Sequence, residues 1–230
     1  MSKQAIQRIL NKDMKEINNM ELSKMGIYIE FNEENILEAN AIIIGPKGTP
    51  YENGVLYFKI LFPKNYPYSP PQVFYISRSK YRIHPNLYVG KVSDNFLGKV
   101  CLSIINTWSG PKWTTVMHIG SVMVSIQSLL TDNPIRNEPG FENEKGTKND
   151  IYNLIVQHDT FYNLIYKNCN DIHTDFLCFK DIIQEHYNTN KQEIIETLKE
   201  YKGKYKENTC YLSFYNIKMN LTFGKLLTLF

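Results

Sequence analysis

The residues best equipped for chemistry stand near the middle of the chain. Cys101 offers a thiol, whose thiolate is an intrinsically strong nucleophile. Fifteen positions earlier runs His84-Pro85-Asn86. An Asn86 amide can donate a hydrogen bond to a developing oxyanion without adding charge, and such a preorganised donor is typically worth about 3 kcal/mol of barrier. His84 reads as structural, because an imidazole beside Pro85 can tie a loop backbone together and nothing nearby suggests a base. On residue type alone Cys101 has two readings, a nucleophile and a buried structural thiol. Lys99 could face that thiol or face solvent. Cys169, His173 and Cys178 match no zinc spacing and lack an evident fourth ligand, so no metal is expected.

Regular elements must position these groups. Ile6, Ile9, Leu10, Met14 and Ile17 share one face of a helix, with Arg8, Lys12 and Lys15 opposite. Four short β-branched and aromatic stretches follow, at 26–31, 39–45, 55–62 and 73–76, punctuated by Gly, Pro and Asn as in an antiparallel meander. Residues 77–113 lack clear periodicity. Met117 to Leu130 returns to helical spacing, closed by Pro134 and Pro139. Beyond Asn149 the apolar spacing is again helical, except for a last twenty residues without a defensible period. Strands grouped before helices predict an α+β fold.

The composition excludes several classes. The 26 basic and 23 acidic residues leave a net charge of +3, too weak to point to nucleic acid. No apolar run is long enough for a transmembrane helix, so no membrane is expected. The first ten residues lack a signal-peptide core, which predicts reduced thiols in a cytoplasmic chain, with the nucleus also open to it.

Four motifs in order carry a specific resemblance. Gly45 to Gly54 contains Thr49-Pro50-Tyr51, and Phe62-Pro63 leads through Tyr66-Pro67 to Pro70-Pro71. His84-Pro85-Asn86 comes next, then Gly98-Lys99-Val100-Cys101-Leu102. Over residues 1–165 the chain resembles the ubiquitin-conjugating (E2) family and its α+β UBC fold. That fold has an N-terminal helix, a four-stranded antiparallel meander and C-terminal helices. Residues 166–230 lie outside the common core and read as a helical extension. Thr107-Trp108-Ser109-Gly110-Pro111-Lys112-Trp113 and Asn137-Glu138-Pro139-Gly140-Phe141-Glu142 look like the larger members, such as the E2 domain of the giant inhibitor-of-apoptosis ligase BRUCE or apollon.

The resemblance implies a function. Cys101 would accept ubiquitin as a thioester from an activating enzyme (E1) and pass it to a lysine amine of a protein substrate, usually with a ligase (E3). Alternatives are conjugation of another ubiquitin-like modifier, or a non-catalytic ubiquitin-binding variant, whose usual mark is loss of the Cys that is present here. ATP is spent on the activating enzyme, so no cofactor is expected. Asn86 would serve the oxyanion of the isopeptide step or brace its loop, with His84 and Pro85 structural beside it. Phe62 and Trp113 would meet the ligase, and Arg8, Lys12 and Lys15 the activating enzyme. Two departures stand out. The spacing from Asn86 to Cys101 exceeds that of common short members, which implies an insertion within Leu87–Leu97. The acid that usually follows the helix-closing Asn-Pro is replaced by Arg136, which leaves Asn137 and Glu138 as candidates to position the lysine.

Overall fold

The computed structural model describes residues 3–90 and 98–230. The chain forms two compact units, one of Met1–Ile43, Leu56–Ser77 and Asn86–Leu129, the other of Ile44–Val55, Arg78–Pro85 and Leu130–Phe230. The expected sequence boundary at residue 165 falls inside the second unit. The end of the expected insertion, residues 91–97, lies outside the described residues.

The first unit opens with α1 (Lys3–Arg8) and α2 (Met14–Asn19), joined by a π-helical stretch over Ile9–Asp13. The wider π turn rotates the face between the two pieces. This corrects the expected apolar stripe: Leu10 is 46% exposed, while Ala5, Ile9 and Asp13 are buried. The buried Asp13 is held chiefly through one oxygen. Its Oδ1 accepts from the Tyr66 hydroxyl at 2.5 Å and from the backbone N–H of Ile119 at 3.0 Å, and Arg8 Nε lies 3.7 Å from Oδ2. Ile119 begins α3 (Ile119–Leu129), so Asp13 caps that helix where its dipole favours negative charge. Burial, then Asp13, push the Tyr66 phenol up.

The sheet contains β1 (Ile27–Phe31), β2 (Glu38–Ile44), β3 (Val55–Leu61), β4 (Gln72–Ile76) and the two-residue β5 (Gly98–Lys99), in that spatial order. The pairs β1–β2, β3–β4 and β4–β5 run antiparallel. The α+β expectation holds, with a fifth strand added to the meander. Two residues are too few to show a period, which is why β5 is invisible in the sequence.

In the second unit, Gly45 and Gly54 close a loop, Gly45 N–H donating to Gly54 O at 2.7 Å. A Cβ on Gly45 would sit 1.8 Å from Tyr51 O, so only glycine fits. The helical run α4 (Thr147–Asp159) continues through a π-helical stretch, Thr160–Lys167, into α5 (Asn168–Asn170). The long α6 (Lys180–Lys204) follows. The chain then departs from the helical expectation. β6 (Asn208–Leu212) and β7 (Ile217–Leu221) form an antiparallel hairpin packed on α4, and α7 (Phe223–Leu226) packs on α6. Ile217, Met219 and Leu221 are buried while Lys218 and Asn220 are exposed, a period of two that a helix cannot have. Asn216 takes a left-handed conformation, φ 48°, and closes the turn.

Candidate active site

β5 delivers Cys101. Gly98 pairs with Tyr75 and Lys99 with Phe74, and a Cβ on Gly98 would lie 1.9 Å from Tyr88 O. On its other side the segment runs against the chain after Pro85. Tyr88 N–H donates to Lys99 O at 3.0 Å, Leu87 bridges Val100, and Cys101 N–H donates to Asn86 O at 2.8 Å. The Asn86 side chain completes the pairing, its Nδ2 donating to Cys101 O at 2.7 Å. Asn86 and Cys101, fifteen residues apart, are thus brought together as expected from their motifs. Lys99 turns outward to solvent, and Cys101 is 3% exposed.

A hydroxyl that sequence reasoning overlooked holds the backbone on both sides of Cys101. After Cys101 the chain makes one 3-10 turn, Ser103–Ile105, and Asn106 reverses it with φ 61°. Thr107 Oγ1 then returns beneath the strand, donating to Val100 O at 2.7 Å and accepting from Leu102 N–H at 2.8 Å. Both neighbours of Cys101 are fixed by one side chain. The signal was Thr107's place in the quoted Thr-Trp-Ser-Gly-Pro-Lys-Trp stretch. Asn106 Oδ1 accepts from Trp113 N–H at 3.0 Å, so the extra residues before Trp113 fold back on this turn.

The expected contact residues distribute differently. Phe62 is 5% exposed, its ring 5.8 Å from Phe31 and 5.0 Å edge-on to Tyr66. Its N–H donates to Leu37 O at 2.7 Å, which turns the ring into the core rather than out to a partner. Trp113 is also buried, with Nε1 donating to Pro67 O at 2.7 Å. The large side chains presented to solvent by these loops include Tyr68, 66% exposed, Trp108 and Val116. Arg8 leaves the expected solvent-facing basic face. Its side chain is 11% exposed and donates to Met117 O at 2.6 Å. Lys12 is half-buried, its Nζ 3.3 Å from Val116 O, and Lys15 is exposed.

The second unit holds the remaining candidates. His84 is fully buried, 6.1 Å ring to ring from Tyr51, whose hydroxyl donates to Ile83 O at 2.6 Å. Pro85 O accepts from the Arg82 guanidinium. Asn137 Nδ2 donates to Pro134 O at 3.3 Å. Glu138 is extended, φ −86° and ψ 128°, as expected of a residue before proline, and accepts from the Tyr215 hydroxyl. Arg136 Nε donates to Glu144 O at 3.1 Å.

All four thiols are unbridged. Cys169 is buried, and burial pushes it up to about 12; Cys178 is exposed and Cys210 half-buried. Among the described residues no three of His, Cys, Asp and Glu are grouped to hold a metal ion, and no helix is long and apolar enough to cross a membrane.

Comparison with known proteins agrees with this architecture. The sequence profile described as "Ubiquitin-conjugating enzyme" matches residues 9–169. The chain is 41% identical over 140 residues to "Ubiquitin-conjugating enzyme E2 Z" of Danio rerio, a match covering 59% of this chain and 40% of that relative. It is 34% identical over 191 residues to the human "Dual E2 ubiquitin-conjugating enzyme/E3 ubiquitin-protein ligase BIRC6", covering 78% of this chain and 4% of that relative. This is similarity to a member of the large kind that the motifs resembled. A Toxoplasma gondii ubiquitin conjugating enzyme E2 domain superposes with a TM-score of 0.50 at 24% identity, covering 67% of this chain and 98% of its own, and shares the fold.

Proposed function

This chain belongs to the ubiquitin-conjugating enzyme family, and from that premise we propose that it carries ubiquitin, or a related modifier, as a thioester on Cys101. The observation that carries the reading is the mutual pairing of Asn86 and Cys101. It places an amide donor against the backbone of the one cysteine that stands in the family's motif.

In the proposed cycle the Cys101 thiolate attacks the thioester carbonyl presented by an activating enzyme. The new C–S bond forms as the enzyme's own thiolate leaves. The exchange is nearly isoenergetic, so the chain need supply little beyond access and orientation. A lysine amine of a protein substrate then attacks the same carbonyl, and Cys101 leaves as thiolate while the amine gives up a proton. Asn86 serves this second step. Asn137 and Glu138 are its lysine-side candidates, and a ligase would assist. Tyr68 and Val116 are exposed, Val116 beside Lys12, and both are better placed than Phe62 and Trp113 to meet a partner. ATP would be spent on the activating enzyme, with no cofactor here, and unbridged thiols suit a reducing compartment, the cytoplasm or nucleus.

Incubation with activating enzyme, ATP and a panel of ubiquitin-like modifiers tests the proposal. A reductant-sensitive adduct with one modifier, lost in Cys101→Ala, is expected. Absence of any adduct across the panel would overturn it.

A further inference from the structure

The turn that joins β6 to β7 reaches the loop preceding Asn86 through an unbroken set of contacts. Ser213–Tyr215 makes a single 3-10 turn that ends at the left-handed Asn216, and two aromatic rings project from it. Phe214 lies 4.8 Å from Phe141 and 6.0 Å from Tyr152, ring to ring. Tyr215 lies 5.8 Å from Tyr152. Its hydroxyl donates to Glu138 Oε2, and its ring carries the Arg82 guanidinium 4.8 Å from the centroid. Arg82 Nη2 is 3.9 Å from the same carboxylate oxygen and donates to Pro85 O. The fully buried Tyr152 donates to Arg82 O at 2.8 Å and fixes the backbone from which that side chain springs.

We propose that Tyr215 is a positioning residue for Asn86, acting through Glu138, Arg82 and the Pro85 carbonyl. Peptide planarity links the two residues. Pro85 C=O and Asn86 N–H belong to one rigid plane, so a hydrogen bond that pins the oxygen also sets the direction in which Asn86 begins. Arg82 is a long side chain with several rotamers, and holding it in one of them needs partners on more than one side. Glu138 supplies charge and the Tyr215 ring supplies a cation–π face. Glu138 and Phe141 both come from the Asn-Glu-Pro-Gly-Phe-Glu stretch, so the same contacts give that motif a task, to seat the hairpin. The segment beyond residue 165 thereby becomes part of the machinery that aims the amide.

The inference rests on the reading of Asn86 as the residue serving discharge of the thioester. The full chain is tested as Tyr215→Phe, which removes the hydroxyl alone, and Tyr215→Ala, which also removes the cation–π face. Both should charge at the wild-type rate. Discharge onto free lysine should slow about five-fold in Tyr215→Phe, the scale of one lost hydrogen bond, and further in Tyr215→Ala. The loss should fall on the maximal rate and leave the half-saturating lysine concentration unchanged. Independently of activity, the Asn86 side-chain amide pair in a 15N–1H spectrum, assigned by its absence in Asn86→Ala, should shift in both variants. Unmoved Asn86 resonances would overturn the brace even if no modifier can be loaded. Discharge at the wild-type rate would overturn it, and so would charging and discharge falling together with the melting temperature. Failure of the wild-type chain to charge at all, with the Asn86 shift intact, would instead count against the thioester reading.

Discussion

Asn86 and Cys101 hold each other by two hydrogen bonds, backbone N–H of Cys101 to Asn86 O at 2.8 Å and Asn86 Nδ2 to Cys101 O at 2.7 Å. The Cys101 backbone held this way cannot shift without Asn86, and the Asn86 amide cannot be lost without loosening the backbone that carries the thiol. Substitutions at either residue therefore test two properties at once, and the readouts must separate them.

Cys101→Ser should form a reductant-resistant oxyester and Cys101→Ala no adduct. Cys169 is an unsuitable substitute, because burial pushes its thiol up to about 12 and leaves almost no thiolate at neutral pH. A reductant-sensitive adduct on the Ala variant, mapped by mass spectrometry to Cys178 or Cys210, would remove Cys101 from its role.

Asn86→Ala removes the donor to Cys101 O, which should cost about 1 kcal/mol of stability. Charging should remain near normal. Discharge onto lysine should fall by about 100-fold if the amide also serves the oxyanion. Single-turnover assays of the two half-reactions decide it: equal losses in both would reduce Asn86 to a brace.

Thr107→Val keeps the shape and discards the hydroxyl that bonds Val100 O and Leu102 N–H. Leaving those groups without their partner should cost about 1–3 kcal/mol and slow charging several-fold. Thr107→Ser should restore both. Urea denaturation and thioester kinetics on the pair provide the check, and a Val variant indistinguishable from wild type would show that the strand needs no such support.

Glu138 can be probed by two replacements with different chemistry. Glu138→Gln still accepts a hydrogen bond from Tyr215 but has no charge to draw an ammonium or take its proton. Lysine amines are mostly protonated at pH 7, with a reference value of about 10.4. Relative to wild type, the Gln variant should therefore discharge several-fold slower at pH 7 and recover in part toward pH 9, keeping the share of the deficit that comes from the charge lost beside Arg82. Glu138→Ala should keep a deficit at every pH. A Gln variant matching wild type from pH 7 to 9 would take the carboxylate out of lysine positioning.

His158 and Asp159 are neighbours with opposed pH behaviour. Burial pushes Asp159 up to about 6, against the hydrogen bonds from Ser79 and Asn163, and burial brings His158 down to about 4. Folding thus favours protonated Asp159, whose stabilising share is present below about pH 4 and lost as pH rises through 6, by about 3 kcal/mol. Folding favours neutral His158, whose share is present above about pH 6.5 and lost as pH falls toward 4, by a similar amount. Between pH 4 and 6 the two slopes oppose. Asp159→Asn should uncover the histidine, so that stability climbs with pH across this window, and urea midpoints at half-unit steps would reveal it. A variant whose profile overlays wild type would contradict the assignment.

Much of the architecture was legible in the residues. The first four strands begin and end within a residue of the apolar stretches, because alternation and flanking Gly, Pro and Asn are local signals. The pairing of Asn86 with Cys101 was legible through motifs alone. What escaped has physical reasons. The π turn at Ile9–Asp13 adds to the helical repeat, which moved Leu10 outward and drew Asp13 in. Phe62 looked presentable because prolines follow it, yet its neighbours Phe31 and Tyr66 come from distant sequence and claim the ring. Thr107 acts through backbone atoms of residues 100 and 102, and backbone partners leave no trace in residue type. The β6–β7 hairpin has only three buried alternating positions on β7 and was outweighed by the helix before it.

The uneven exposure of the thiols has a use at the bench. A bulky maleimide meets Cys178 at the surface, whereas Cys210 is half-buried and Cys101 and Cys169 are buried. A fluorophore can therefore be conjugated at Cys178 under brief labelling once Cys210→Ser has removed the half-buried thiol. The tagged chain would tumble more slowly once a modifier is loaded, and fluorescence anisotropy would follow charging and discharge in real time, without gels.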